Sequence, residues 1–449
     1  MKIDELKTKK IGMIALGCDK NRVDAEKILA KCVNFGFQLV ASIEDADIVI
    51  INTCAFLNSA RLEAFDAIKE CIEYKKSGSL EKIVVTGCLN RYKGETDKEL
   101  LDYIDEFVPI SENEKIISHI AKLYGAKTTK DYGLDADRVI TTPSHIAYLK
   151  IADGCNNACA YCTIPAIRGK YTSRKIEDIV EEAKQLVKNG VREILLVAQD
   201  VTRYGSDLYG ELKLINLLEE LVKIDNLTWI RLHYCYPENL TDELLQFIKA
   251  NDKICKYIDM PLQHASDNIL KAMKRRNTAK EASEILNKAE LYGLSVRSTF
   301  IIGFPNETRK DFNALVKFLK VHNLSNVGFF AYSREKYTLA YDMEGQVDEK
   351  VKLKRLKKVE KLQTKLYKNR QKKKVGQILD CMIDYYDAEN DWYIGRTTFD
   401  SYEVDTICYI SSADELQIGE VVSVKITATN GIDLIGDVLW KTCQIFYQQ

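Results

Sequence analysis

Histidine is scarce in this chain, five residues among 449, which excludes a metal site built mainly on imidazole. No apolar run approaches the roughly 20 residues that cross a bilayer, so no membrane-spanning helix and no membrane partner are expected. The opening stretch, Met1-Lys-Ile-Asp-Glu-Leu-Lys-Thr-Lys-Lys10, is charged and lacks the apolar core of a secretion signal. Net charge is nearly absent too, at −1, although that figure hides a strong segregation along the chain. Cysteine, in contrast, is plentiful. Thirteen cysteines, an odd number, point to metal ligands and buried thiols in a reducing compartment, so a cytoplasmic location is expected. A length of 449 predicts about three domains at roughly 150 residues each, and an apolar content of 46% supplies several cores.

Three cysteines, Cys155, Cys159 and Cys162, stand in the run Asp153-Gly-Cys-Asn-Asn-Ala-Cys-Ala-Tyr-Cys, just after an apolar, strand-like segment. Three thiolates this close can hold three irons of a 4Fe–4S cubane and leave the fourth open for a substrate or cofactor, whereas an electron-carrying site normally has four protein ligands. Zinc sites favour paired C-x2-C or Cys/His sets, which this spacing does not match.

A second set lies in the N-terminal third. Short apolar runs at 11–17, 48–53 and 82–87 lead into Cys18, Cys54 and Cys88, with helical stretches at 22–35 and 60–75 between them. Alternating strands and helices predict a parallel sheet, and its strand carboxyl ends share the edge where open α/β folds bind ligands. The three cysteines could therefore converge; the alternative is three buried thiols. Cys32, Cys71, Cys235, Cys255, Cys381, Cys408 and Cys443 stand singly and read as core or surface thiols.

From about 148 to 330, strand candidates at 148–152, 193–198, 228–232, 256–259, 295–301 and 326–330 alternate with helices such as 176–189, 213–224, 242–250 and 309–322. Six such units predict a partial (β/α)6 barrel, in which chemistry gathers at strand carboxyl ends. Gln199-Asp200, His233 and Gln263-His264 sit there, although ordinary loop polarity explains the histidines equally well. Gly303, ending the fifth strand, would let a ligand approach the backbone.

Charge then separates. Residues 350–374 carry 13 Lys or Arg and one Glu, with apolar residues at two- to four-residue steps, which predicts an amphipathic basic helix. Its polar side is either a solvated face or an attraction for nucleic acid. Residues 380–440 carry 13 Asp or Glu against two bases, with strand-like runs at 406–410 and 421–427 and turns at Asn390-Asp391 and Asn430-Gly431. A small antiparallel β-barrel is expected, and an acidic one repels phosphate and attracts basic protein surface.

Taken together, Leu16-Gly-Cys-Asp-Lys-Asn-Arg-Val-Asp24, Asn52-Thr-Cys-Ala-Phe56, Gly87-Cys88, Gly154 to Pro165, Arg168-Gly169, Ala198 to Gly205, Tyr234 to Glu238 and Asp259 to Ser266 resemble the radical S-adenosylmethionine (SAM) methylthiotransferases over essentially the full length. Within that family the chain resembles the RimO type, which modifies an aspartate of small-subunit ribosomal protein S-twelve. The resemblance implies an N-terminal methylthiotransferase domain (1–140), a radical SAM domain with a basic linker helix (145–374) and a C-terminal TRAM barrel (376–449). Asp19 and Ala55 depart from the proline and glycine usual in RimO-like chains, which leaves the local turns open.

The resemblance also implies two 4Fe–4S clusters. Cys155, Cys159 and Cys162 would hold the radical cluster, whose open iron binds SAM, and Cys18, Cys54 and Cys88 would hold an auxiliary cluster carrying the sulfur to be inserted. Reductive cleavage of SAM would give a 5′-deoxyadenosyl radical, which suits an unactivated C–H bond that no side-chain base can deprotonate. A second SAM would donate the methyl group. Gln199, Asp200 and Gly303 are candidate cofactor contacts by position. A low-potential donor such as flavodoxin or ferredoxin is implied, and a monomer is expected. Two rivals remain: a methylthiotransferase of the same family acting on a tRNA adenosine near the anticodon, and a non-catalytic zinc scaffold binding RNA through the basic helix. The acidic C-terminal region argues against a polyanionic substrate.

Overall fold

A computed structural model describes residues 2–128, 132, 137–322 and 324–439; Cys443 lies outside the described residues. The N-terminal unit is a five-stranded parallel sheet in the order β2-β1-β3-β4-β5. Its strands are β1 (Lys10–Ala15), β2 (Gln38–Leu39), β3 (Ile48–Thr53), β4 (Lys82–Gly87) and β5 (Glu106–Phe107). β3 is buried along its whole length, as a continuous apolar run covered on both faces must be. The connecting helices span Asp19–Phe35 and Asn58–Ser77, each starting before its expected position.

The central unit holds β6 (Ile146–Lys150), β9 (Glu193–Val197), β10 (Trp229–Leu232), β11 (Ile254–Asp259), β12 (Ser295–Ile302) and β13 (Asn326–Ala331) in one open sheet, with a small ribbon of β7 (Ala152–Asp153) and β8 (Thr172–Ser173). All five pairings of the open sheet are parallel, so the expected partial barrel is present. One face, with Ile194, Leu196, Ile230 and Leu232, joins the main hydrophobic core. The other face is covered by elements from outside the unit. Val23 of the helix Asp19–Phe35 packs with Tyr148, Leu195 and Val197, and Met382 packs with Trp229 and Tyr257.

Met382 belongs to the C-terminal unit, a closed barrel of β14 (Ile378–Asp387), β15 (Trp392–Thr397), β16 (Cys408–Ser411), β17 (Val421–Asn430) and β18 (Asp433–Val438). Four of its five pairings are antiparallel; the fifth, β16 with β18, is parallel, because β17 crosses between them. Part of the barrel's acidity is turned toward arginines at its seams with the other units. Glu193 accepts from Arg231 Nε and Arg396 Nη2, both at 2.7 Å, and Arg396 Nε also reaches Asp384 Oδ2 at 2.6 Å. Glu403 pairs with Arg22 at 3.2 Å, and Asp405 with Arg297 at 3.5 Å. His233 Nε2 lies 2.8 Å from Ser401 Oγ, which makes this histidine part of the barrel's seat.

The basic helix runs Glu349–Lys372 and buries Lys352, Val359, Gln363, Tyr367 and Gln371. Tyr367 bonds Asn326 of β13, and Gln371 Nε2 donates to Ile432 O of the barrel at 2.7 Å. It is a strut between sheet and barrel.

Candidate active site

β1, β3 and β4 are neighbours, and each ends within three residues of one cysteine of the first set. Asn21 ties their loops together: its Nδ2 donates to Leu16 O at 2.9 Å and to Thr53 O at 2.8 Å. Gly87 has φ of 88°, and a Cβ there would stand 2.4 Å from Thr53 O, so only glycine lets β4 turn into Cys88 beside β3. Asp19 opens its helix in the first turn, where a carboxylate suits the helix dipole, and pairs with Lys20 at 2.8 Å. Ala55 is fully buried. Both departures from the family pattern are thus accommodated locally.

The second set lies on the loop between β7 and the short helix Ile164–Arg168. Gly154 has φ of 75° and packs against Lys170 O, which its Cβ would approach to 2.1 Å. Asn157 fixes the loop from inside. Its Nδ2 donates to Asp200 Oδ2 at 3.0 Å, and its Oδ1 accepts from Arg203 Nη1 at 3.1 Å. Thr202 Oγ1 donates to Asp200 Oδ1 at 2.7 Å, which leaves Oδ2 of this buried carboxylate to hold the loop through Asn157. Gln199 Nε2 donates to Asp153 Oδ1 at 3.0 Å, while its Oε1 is buried without a protein partner among the described residues. Gly303 lies farther round. Its N–H donates to Glu307 Oε2 at 2.7 Å, and Lys352 fills the side where a Cβ would project, 2.3 Å from that position. Its neighbour Phe304 packs with Ala160 of the cysteine loop. His264 is buried, with Nδ1 accepting from Ser266 N at 3.0 Å and Nε2 standing 3.4 Å from Glu307 Oε2.

Residues that carried no assigned role in the sequence join the two sets. Arg168 Nη1 donates to Asp153 Oδ2 at 2.8 Å, and its Nη2 to Asn21 Oδ1 at 2.6 Å and Asp24 Oδ2 at 3.0 Å. Lys150 completes the bridge by pairing with Asp24 and with Asp153. Burial opposes the charge on Asp153, yet Lys150 and Arg168 outweigh it and hold the carboxyl well below the usual range. A cavity of roughly 750 Å³, lined by Cys88, Asp24, Lys150, Asp153, Arg168 and Lys170, opens at this boundary. All these residues fall within or beside the quoted motifs. Their only sequence signal was membership.

The donor chemistry fits iron–sulfur ligation. Burial pushes the Cys88 and Cys162 thiols up to about 12 and Cys155 up to about 11, with neighbouring cysteines adding to the rise at each. Buried thiols in such groups give up their protons when a metal supplies the compensating charge. Among the described residues no three such side chains converge on one point, as ligands of a single ion would; ligands of three separate irons need not. Arg275, buried beside the loop, offers Nε and Nη1 with no protein acceptor among the described residues and lies close enough to favour the Cys162 thiolate.

Three family models match successive parts of the chain: the radical SAM superfamily over 149–319, the uncharacterized protein family UPF0004 over 10–109, and the TRAM domain over 375–439. The ribosomal protein uS12 methylthiotransferase RimO of Clostridioides difficile (strain 630) is 44% identical, over 96% of this chain and 99% of its own length. That of Thermoanaerobacter sp. (strain X514) is 41% identical over 96% of this chain and 100% of its own. Among solved structures, the radical SAM methyltransferase TsrM of Kitasatospora setae aligns with a TM-score of 0.54 at 14% identity, covering 74% of this chain and 77% of that one. At that identity the likeness concerns the fold alone. Identity above 40% along nearly the whole length, on an architecture of parallel sheet, open radical SAM sheet and TRAM barrel, places the chain in the RimO family of radical SAM methylthiotransferases.

Proposed function

We propose that the protein adds a methylthio group to the β-carbon of an aspartate of ribosomal protein uS12. The observation that carries this is the placement of two three-cysteine sets on either side of the bridge made by Asn21, Asp24, Asp153 and Arg168. Cys155, Cys159 and Cys162 hold the radical cluster, and Cys18, Cys54 and Cys88 hold the auxiliary one. When bound, these clusters supply the electron that cleaves SAM and the sulfur that is inserted. The chain's own residues orient and enclose them. Asp200, acting through Asn157, fixes the loop's curvature, and Gln199 presents its free Oε1 to the cofactor. Gly303 is a weaker candidate contact, next to Phe304, which packs with Ala160 of the cysteine loop. Arg168 ties the loop before Cys155 to the helix after Cys18, and so would hold the two ligand sets in register.

The division into 1–140, 145–374 and 376–449 follows the same scheme, with a monomer acting in the cytoplasm and drawing electrons from a flavodoxin or ferredoxin. A ribosomal protein loop is basic and fits the acid left exposed on the barrel, such as Glu389, Asp391, Asp414 and Glu415. The names of the relatives agree with it, and a tRNA substrate does not fit an acidic barrel. Mass spectrometry of a deletion strain tests the reading: uS12 should lose an addition of about 46 Da, the methylthio group in place of hydrogen. Retention of the mark on uS12 with its loss from tRNA would reverse the assignment.

A further inference from the structure

Six lysines, Lys354, Lys358, Lys361, Lys365, Lys368 and Lys372, follow one another along the helix Glu349–Lys372 at steps of four, three, four, three and four residues. At 3.6 residues per turn they fall within an arc of about 80° and make a line about 27 Å long. The opposite side of the helix carries the buried Val359, Gln363, Tyr367 and Gln371, so the line points away from the protein. All six are exposed, and none stands in an ion pair among the described residues. The helix bases that do have acid partners lie off this line: Lys352 with Glu349 and Arg355 with Glu307. Lys358 alone has another contact, with its Nζ 5.4 Å from the Phe312 ring centre.

Its regular spacing and single sign make the line informative, since the lack of an ion pair is shared by other exposed lysines such as Lys184 and Lys317 among the described residues. Arg231, Arg396, Arg297, Arg168 and Arg22 are each neutralised by carboxylates. An unpaired row of like charges repels itself and costs helix stability at each i,i+4 step. Packing of the buried face supports the helix, and solvation of the outer face asks for polar residues but not for a row of a single sign. A regular, single-sign line of this length matches the repeating charge of a nucleic-acid backbone, and its lysines offer point charges without base recognition.

We infer that this lysine line is a docking surface for the phosphate backbone of helical RNA, used to seat the enzyme on ribosomal RNA beside its protein substrate. The inference rests on the uS12 reading, because that substrate is embedded in RNA. The strut position of the helix then divides the labour: lysines face RNA while the acidic barrel at its end faces basic protein.

The test uses full-length protein and a labelled RNA duplex of about 20 base pairs, with binding followed by anisotropy across a salt series. Six backbone contacts predict a slope of log affinity against log salt of roughly −4 to −5. The variant Lys358→Glu/Lys361→Glu/Lys365→Glu should bind at least tenfold more weakly with a shallower slope, and Lys354→Gln/Lys361→Gln/Lys368→Gln should fall between. Both variants should melt at or slightly above the parent temperature, because the row's self-repulsion is relieved, and modify free uS12 at the parent rate, but modify uS12 in small subunits more slowly. Equal RNA affinity in parent and variants, or tighter parent binding to anionic lipid vesicles than to the duplex, overturns the inference. If the line binds RNA but uS12 is never modified in either form, the inference about the surface stands and the substrate reading fails.

Discussion

Arg168 donates through Nη2 to Asn21 Oδ1 at 2.6 Å, joining two residues 147 positions apart. Asn21 already holds the loops that present Cys18 and Cys54, and Arg168 also grips Asp153, two residues before Cys155. One guanidinium therefore sets the spacing of both cysteine sets. Replacing it leaves Asp24 and Asp153 with Lys150 alone as counter-charge.

Arg168→Met is expected to lower unfolding free energy by about 3 kcal/mol, the scale for stranding a buried charge. Denaturant unfolding of the metal-free protein measures this. Arg168→Lys should recover part of the stability but little of the activity, because one ammonium cannot replace the planar fork. Parent-like stability in the methionine variant would contradict the bridge.

Anaerobic reconstitution should give about 8 irons per chain, and the Cys155→Ala/Cys159→Ala/Cys162→Ala variant about 4. Iron and sulfide analysis decides it. About 4 irons in the parent would remove the auxiliary cluster, and a colourless zinc protein would remove both.

Burial opposes charge on Glu193, but Arg396 and Arg231 prevail and hold the carboxyl at about 2. Its folded value lies below the unfolded one, so the stability it contributes is present above about pH 4.5 and is lost as pH falls toward 2. Glu193→Gln leaves the buried Arg231 without a carboxylate, while Arg396 keeps Asp384, and should cost about 3 kcal/mol at pH 7. The gap to the parent should close on acidification, as thermal melts across pH will reveal.

Asp405 has the opposite sign. Burial raises its carboxyl to about 6 despite Arg297. A raised carboxylate contributes stability below its unfolded value, near pH 4, and loses it as pH climbs through about 6. Asp405→Asn should therefore raise the melting temperature at pH 7.5, by an amount worth about 1–3 kcal/mol, and give little change at pH 4. A variant that melts lower at pH 7.5 would mean that the pair with Arg297 outweighs burial.

The strand runs before Cys18, Cys54 and Cys88, the C-x3-C-x2-C loop and the basic helix were all legible in the chain. Each is a local pattern, in which apolar periodicity or ligand spacing is written along a few adjacent residues. The acidic barrel was legible as composition, but its pairing with arginines was not. Asp384 meets Arg396 on the neighbouring barrel strand, whereas Glu403 and Asp405 meet Arg22 and Arg297 only after the barrel docks on the helix Asp19–Phe35 and the open sheet. His233 likewise looked like a site residue and serves as a seat for Ser401.

The sequence alone determined the family, the cysteine sets and the order of the three units, since these depend on residue identity and spacing along the backbone. The tertiary structure decided how the units meet. The open face of the central sheet is closed by a helix from one neighbour and a barrel from the other, and Arg168 reaches Asn21 only within that packing. Contacts between residues more than a hundred positions apart follow from burial of complementary surfaces, for which no periodicity in the chain gives a sign.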